Sequence, residues 1–217
     1  MKLFQLAALV VITAGFGVAA PFTNGSFESS GGAFTPPANV LGNGDTFVTG
    51  WVHDGPGALG AGEFYTDGVN WGVVAGQGTY YVGFGAGGLT GGTLSQTFDT
   101  TIGTTYFVNY LLSTQEFDGI PPIQVAVVEA LDGSTVLASV SNSFNQGSGI
   151  WNSGLTLTFT ATSSSTTLRF TDATSPANSP PVNWGLDAVS VAPVPEPTTF
   201  GLVGLGLALC AWRKRRA

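Results

Sequence analysis

The chain has 217 residues, of which only 9% are charged, and its formal net charge is −7. All 13 acidic residues lie within residues 21–197, where Arg169 is the one basic residue, so that stretch has a net charge of −12. Its length suits a single domain. Because dense negative charge repels phosphate backbones, we exclude nucleic acid as a partner.

Residues 1–19 have the layout of a secretory signal peptide. Lys2 supplies a positive charge, and an unbroken apolar run covers residues 6–12. We predict cleavage by signal peptidase after Ala19, because cleavage after Ala20 would place Pro21 on the scissile bond. The alternative is an uncleaved anchor helix, for which the apolar run is short.

Alternation of apolar and polar residues predicts an all-β domain over residues 20–193. Asp132-Gly133 predicts a tight turn, and the serines at 163–165 predict a hairpin between strands 155–162 and 167–171. About nine strands separated by Gly, Pro and Asn clusters predict a β-sandwich of the jelly-roll kind. The other predicted strands are 46–52, 79–84, 93–98, 105–112, 123–130, 135–141 and 184–191.

Residue types that carry catalysis are scarce in this domain. His53 is the only histidine, and the only cysteine, Cys210, lies outside the domain. A zinc site of His and Cys ligands is therefore impossible, and no Gly-x-Ser-x-Gly motif is present. A Ser–His–Asp triad and a glycosidase built on two carboxylates stay open, since neither requires closeness in sequence. We predict that the protein is not an enzyme.

The C-terminal tail, residues 194–217, has three parts in a fixed order. Pro195-Glu196-Pro197 is an extended tripeptide, residues 198–212 carry no charge, and the basic residues Arg213, Lys214, Arg215 and Arg216 follow. We predict a transmembrane helix over residues 198–212, about 22 Å long at 1.5 Å per residue. The basic end then stays on the cytoplasmic side, leaving the β-domain outside.

This tail resembles the PEP-CTERM sorting signal of envelope-bearing bacteria that make exopolysaccharide. The resemblance implies recognition by the membrane enzyme exosortase, cleavage near the tripeptide, and release to the cell surface or matrix. The alternative is an ordinary tail anchor.

Several short segments are similar to galactose-binding-like β-sandwiches, the fold of many carbohydrate-binding modules. They are residues 24–28 (Asn-Gly-Ser-Phe-Glu), Gly50-Trp51, residues 92–98 and residues 184–191. The resemblance implies that the first and last strands lie together, so that Glu28 and Asp187 approach each other. It also implies a structural Ca²⁺ at these carboxylates, because Ca²⁺ prefers hard oxygen ligands. The alternative is that both carboxylates face solvent or accept backbone hydrogen bonds.

Residues 64–71 are the best local candidate for a sugar site. Tyr65 and Trp71 would stack on a pyranose ring, while Asp67 and Asn70 would bind its hydroxyl groups. The alternative for each ring is a place in the core, because an all-β interior needs aromatic residues. We expect three other tryptophans in the core: Trp51, Trp151 and Trp184.

Together these features predict an exported envelope or extracellular-matrix protein of a bacterium. It would be anchored in the inner membrane before exosortase releases it to the cell surface or biofilm matrix. Its sandwich would bind exopolysaccharide without catalysis. The alternatives are a structural or adhesive matrix protein with no sugar site and, less favoured, a polysaccharide-processing enzyme.

Overall fold

A computed structural model describes seven stretches of the chain: residues 21–55, 62–69, 73–86, 89–115, 123–145, 149–175 and 183–195. The predicted signal peptide and transmembrane helix lie outside the described residues. Within them, no helix is long and apolar enough to cross a membrane.

The described residues form eleven strands. They are β1 (Asn39–Val40), β2 (Val52–Asp54), β3 (Gly62–Thr66), β4 (Tyr81–Ala86), β5 (Thr93–Asp99), β6 (Thr105–Gln115), β7 (Gln124–Asp132), β8 (Thr135–Phe144), β9 (Trp151–Thr160), β10 (Ser165–Asp172) and β11 (Asn183–Pro193).

The strands form two antiparallel sheets. The six-stranded sheet has the order β1-β3-β4-β11-β6-β9, and the five-stranded sheet has the order β2-β5-β10-β7-β8. Non-consecutive neighbours show that the chain crosses repeatedly between the sheets, as it does in a jelly roll. The predicted all-β sandwich is confirmed.

Residue alternation explains why these segments pair as they do. Leu168 and Phe170 of β10 are fully buried between the sheets, whereas Arg169 points to the outer surface. Phe84 of β4 stacks on Trp184 of β11, with ring centroids 3.9 Å apart and planes 2° apart. The core residues in the described part of the chain all lie between Phe22 and Val191, so we expect the segment 21–195 to fold without the ends of the chain.

The predicted hairpin between residues 155–162 and 167–171 is wrong. β9 pairs with β6 in the six-stranded sheet, whereas β10 lies between β5 and β7 in the other sheet. The link crosses the sandwich, and the Asp132 carboxylate holds it by accepting hydrogen bonds from Thr162 (2.6 Å) and Ser163 (2.9 Å). Alternation buries one strand face in either sheet, so it cannot distinguish a hairpin from a crossover.

The turn prediction at Asp132-Gly133 is confirmed. Asp132 pairs with Thr135 where β7 joins β8, and Gly133 adopts a φ of +57°, which glycine tolerates best. The predicted strand 46–52 is largely wrong, because β2 begins only at Val52 and, of the residues before it in that range, Val48 makes an isolated bridge to Ser30.

The N-terminal segment of the domain closes against the last strand. Val189 donates its N–H to the carbonyl of Gly25 at 2.8 Å. Asn24, at a φ of +52°, hydrogen-bonds the main chain of Ser29 and Thr49 through its side chain, and its carbonyl accepts the Trp51 indole N–H at 3.0 Å. These bonds place Glu28 beside β11.

A methyl group at Gly25 should disrupt this closure. A Cβ built there would overlap the carbonyl oxygen of Val189, which is main chain and cannot rotate away. We expect Gly25→Ala to lower the free energy of unfolding by about 1–3 kcal/mol, the usual cost of overpacking. Urea unfolding of residues 21–195 measures it. Gly42→Ala is the matched control, because nothing lies within 4 Å of its Cβ position, and equal stability of the two variants would contradict the close contact.

Candidate functional site

Two carboxylates from distant parts of the sequence meet at one turn, residues 76–80. Asp187 Oδ2 accepts the N–H of Gln77 at 2.8 Å, and Glu28 Oε1 accepts the N–H groups of Thr79 (2.8 Å) and Tyr80 (3.0 Å). A Cβ at Gly78, whose φ is +74°, would collide with the Glu28 carboxylate. Glycine at this position therefore allows the turn to approach Glu28.

A bulge in β11 turns Asp187 toward this site. The pairing register with β6 shifts between Asp187 and Ser190, and Ala188 has a φ of +52°. The N–H of Ala188 donates to Asp187 Oδ1 at 2.6 Å. Bulges commonly redirect a side chain in this way.

The two carboxylates have different environments. Asp187 is fully buried, whereas Glu28 is exposed. The pKa of Asp187 is raised to about 7: burial is the largest cause, the N–H donors of Gln77, Ala188 and Gly76 oppose it, and the nearby negative charge of Glu28 adds to the increase. Ionising Asp187 is thus costly unless a positive charge is close by.

The donor chemistry at this turn fits Ca²⁺, because both side chains offer hard oxygen atoms and a cation would relieve their repulsion. Among the described residues, no group of three or more His, Cys, Asp or Glu side chains could hold a metal ion. Main-chain carbonyls or water would have to complete the shell. The alternative predicted from sequence, backbone hydrogen bonding to both carboxylates, is present in the structure.

A cavity of about 470 Å³ lies beside the turn. Its walls are Asp67, Gly68, Val69, Val73, Val74, Ala75, Gly78 and Thr79. Asp67 accepts the N–H of Val69 at 3.1 Å, and Val69 and Val74 are each 77% exposed. The cavity thus combines a carboxylate and a hydroxyl group with exposed apolar surface.

The predicted sugar-binding residues fare differently. Asp67 lines the cavity, whereas Asn70 and Trp71 lie outside the described residues. Tyr65 is only 1% exposed, which contradicts the prediction that its ring faces a sugar. In β3 it pairs with Val82 and points into the core, where it stacks on Tyr80 at 4.9 Å and burial raises its pKa to about 12.

The sequence-based prediction placed no part of residues 73–80 in a site, although Gly76 and Gly78 signal a turn that approaches other groups closely. Trp151 also has an unexpected position. Trp51 and Trp184 are in the core as predicted, but Trp151 is half-buried and packs edge-on against Tyr81, with ring centroids 5.5 Å apart. Its indole N–H donates to the carbonyl of Val74 at 2.8 Å, which fixes one wall of the cavity.

Solved structures share the fold at low sequence identity. The Stig cyclase FisC from Fischerella sp. TAU, in complex with (3Z)-3-(1-methyl-2-pyrrolidinylidene)-3H-indole, matches with a TM-score of 0.58 and 20% identity, over 83% of this chain and 99% of the cyclase. An arabinose-bound α-L-arabinofuranosidase, MgGH51, matches with a TM-score of 0.52 and 14% identity, over 81% of this chain and 26% of the enzyme.

A carbohydrate-binding module, TmCBM61 in complex with β-1,4-galactotriose, is a weaker neighbour. It matches with a TM-score of 0.46 and 13% identity, over 81% of this chain and 99% of the module. No curated protein matches the chain in sequence. Residues 193–216 match the PEP-CTERM protein-sorting motif, so this chain joins a β-sandwich to a PEP-CTERM sorting tail.

Proposed function

We propose that this protein is exported, sorted through its PEP-CTERM tail, and binds a neutral carbohydrate without catalysis. The observation that carries the binding proposal is the cavity beside the 76–80 turn. Its volume of about 470 Å³ falls in the range of small-molecule sites, roughly 300–1,000 Å³.

The chemistry of the cavity wall suits a sugar ring. A pyranose has an apolar C–H face and a rim of hydroxyl groups, so its site must offer both kinds of surface. Val69 and Val74 supply exposed apolar surface, while Asp67 and Thr79 supply hydrogen-bonding groups. With Arg169 as its one basic residue, the acidic domain favours a neutral glycan over an anionic one.

Binding of neutral polysaccharides by residues 21–195 tests this proposal, with affinity measured by calorimetry or gel retardation. We expect Asp67→Asn to weaken binding several-fold, because it alters a group in the cavity wall. Asp99→Asn is the matched control, since it removes the same charge in β5 of the other sheet. Equal affinities for the two variants would place the sugar elsewhere or favour a structural protein with no sugar site.

Trp71→Ala tests the predicted stacking platform in the same assay. We expect a loss of roughly 2 kcal/mol or more in binding, as for aromatic anchors elsewhere, with little change in melting temperature. A loss of about 3–5 kcal/mol in stability would instead place Trp71 in the core. Turnover of any polysaccharide by the parent protein would support the enzyme alternative.

We also propose a structural Ca²⁺ at Glu28 and Asp187. A ligand that binds only the folded state stabilises it, by about 2.7 kcal/mol at a hundredfold excess over Kd. We therefore expect calcium to raise the melting temperature of residues 21–195 and a chelator to lower it. Asp187→Asn should abolish this response and Asp99→Asn should keep it. If calcium still raises the melting temperature of the Asp187→Asn variant, the ion does not bind at this turn.

The tail proposal adds exosortase as a partner and the inner membrane as a temporary location. Sequence supports it through the proline-flanked Glu196, the uncharged residues 198–212 and the basic end. We expect mass spectrometry of the surface-released protein to find a new C-terminus near residues 195–198. Replacing Pro195 and Pro197 by alanine should leave the protein in membranes. Finding only the uncleaved parent chain, held in the membrane, would favour an ordinary tail anchor.

A further inference from the structure

The negative charge of the domain is unevenly distributed. No acidic residue occurs from residue 133 to residue 171, although 12 lie elsewhere within residues 21–195. This acid-free stretch contains the whole of β8 and β9, which are the edge strands of the two sheets and pack against each other on one side of the sandwich. β8 and β9 themselves therefore bring no negative charge to an approaching acidic molecule.

The edge strands on the opposite side of the sandwich are too short to pair readily with another molecule. β1 has 2 residues and β2 has 3, and short edge strands are one way in which proteins prevent strand pairing between molecules. β9 has 10 residues, but Gly154 at a φ of +79° and a register shift opposite Tyr110 to Leu112 interrupt its ladder. β8 also has 10 residues, and it pairs in regular register with β7 from Ala138 to Phe144.

At three serines of β8, the main-chain hydrogen-bonding groups have no partner among the residues that the structure describes. In β7, the N–H and C=O of Val125 point toward the β10 side, where they bond Thr174 and Ala173. Because these directions alternate along a strand, Ala126 and Val128 bond β8, which leaves the groups of Ser139, Ser141 and Ser143 pointing away from the sheet. All three serine side chains are exposed and small, so these side chains leave room for a neighbouring strand.

Two acidic residues of β7 pair in register with β8. Asp132 lies opposite Thr135 at the turn, away from the three serines, and its carboxylate accepts hydrogen bonds from Thr162 and Ser163. Glu129, the one beside the serines, is neutralised. Glu129 of β7 pairs in register with Ser139, and its carboxylate binds Arg169 at 2.7 Å. Arg169 is the one basic residue of the domain. The ion pair therefore removes the charge that would otherwise repel a second copy.

We propose that β8 is a self-association surface, on which a second copy of this chain pairs antiparallel about a twofold axis at Ser141. The three serines of one copy then lie opposite the three serines of the other, with Ser141 opposite Ser141 and Ser139 opposite Ser143 of the second copy. Two five-stranded sheets join into one continuous sheet, and every outward main-chain group at these serines gains a partner. This inference is independent of the sugar site.

Sedimentation equilibrium tests the proposal on residues 21–195 in buffer and on the full chain in detergent micelles. We expect a concentration-dependent dimer that becomes tighter as salt screens the negative charge. Ser141→Lys and Ser141→Glu should each weaken the dimer at least tenfold, because like charges meet at the axis. Mixing the two variants should restore a dimer. Thr158→Lys on β9 is the matched control and should not change the parent's association.

Cross-linking gives a second, independent readout. The segment 21–195 has no cysteine, and residues opposite each other in a hydrogen-bonded antiparallel pair have Cα atoms about 5.5 Å apart, within disulfide range. Ser141→Cys should therefore oxidise to a covalent dimer with a melting temperature no lower than the parent's, and Thr158→Cys should stay monomeric. A parent that remains monomeric at all concentrations, or a dimer broken by Thr158→Lys and not by the Ser141 variants, overturns the proposal.

Discussion

The buried carboxylate of Asp187 determines how the 76–80 turn packs against β11 of the six-stranded sheet. A carboxylate without solvent needs donors or a cation, and Asp187 takes its donors from the main chain of Ala188 and of the 76–80 turn. The same turn donates to Glu28, which the Asn24 bonds hold beside β11. The turn is therefore fixed at both ends, and the cavity wall formed by Val73, Val74 and Ala75 is fixed with it.

Much of the sheet structure could be predicted from the alternation of apolar and polar residues. Where that prediction failed, the failure has a physical cause. The period of two located β5, β6 and β7 to within a few residues, because each has one face in the core. It failed at the link between β9 and β10, where both strands bury a face but in opposite sheets. The crossover is distinguished by the strand pairings, β9 with β6 and β10 with β5 and β7, which join residues far apart in the sequence.

The candidate site was less accessible to sequence reasoning. Glu28 and Asp187 were paired through the resemblance, since nothing in a separation of 159 residues indicates that they meet at one turn. Tyr65 was misplaced because a ring next to polar residues fits a loop or a short strand equally well. The wall residues Val73 and Val74 carry no local signal, and the Trp151 bond to Val74 becomes visible only in three dimensions.

The distribution of basic residues also affects how well the protein resists proteolysis outside a cell. Proteases of the trypsin class cut after lysine or arginine, and between Lys2 and Arg213 the chain offers them one such bond, after Arg169. That bond lies in the middle of β10, hydrogen-bonded between β5 and β7, and a protease needs an extended, unpaired segment. Cleavage there must await opening of the central sheet, so the folded domain should resist such enzymes for as long as it stays folded.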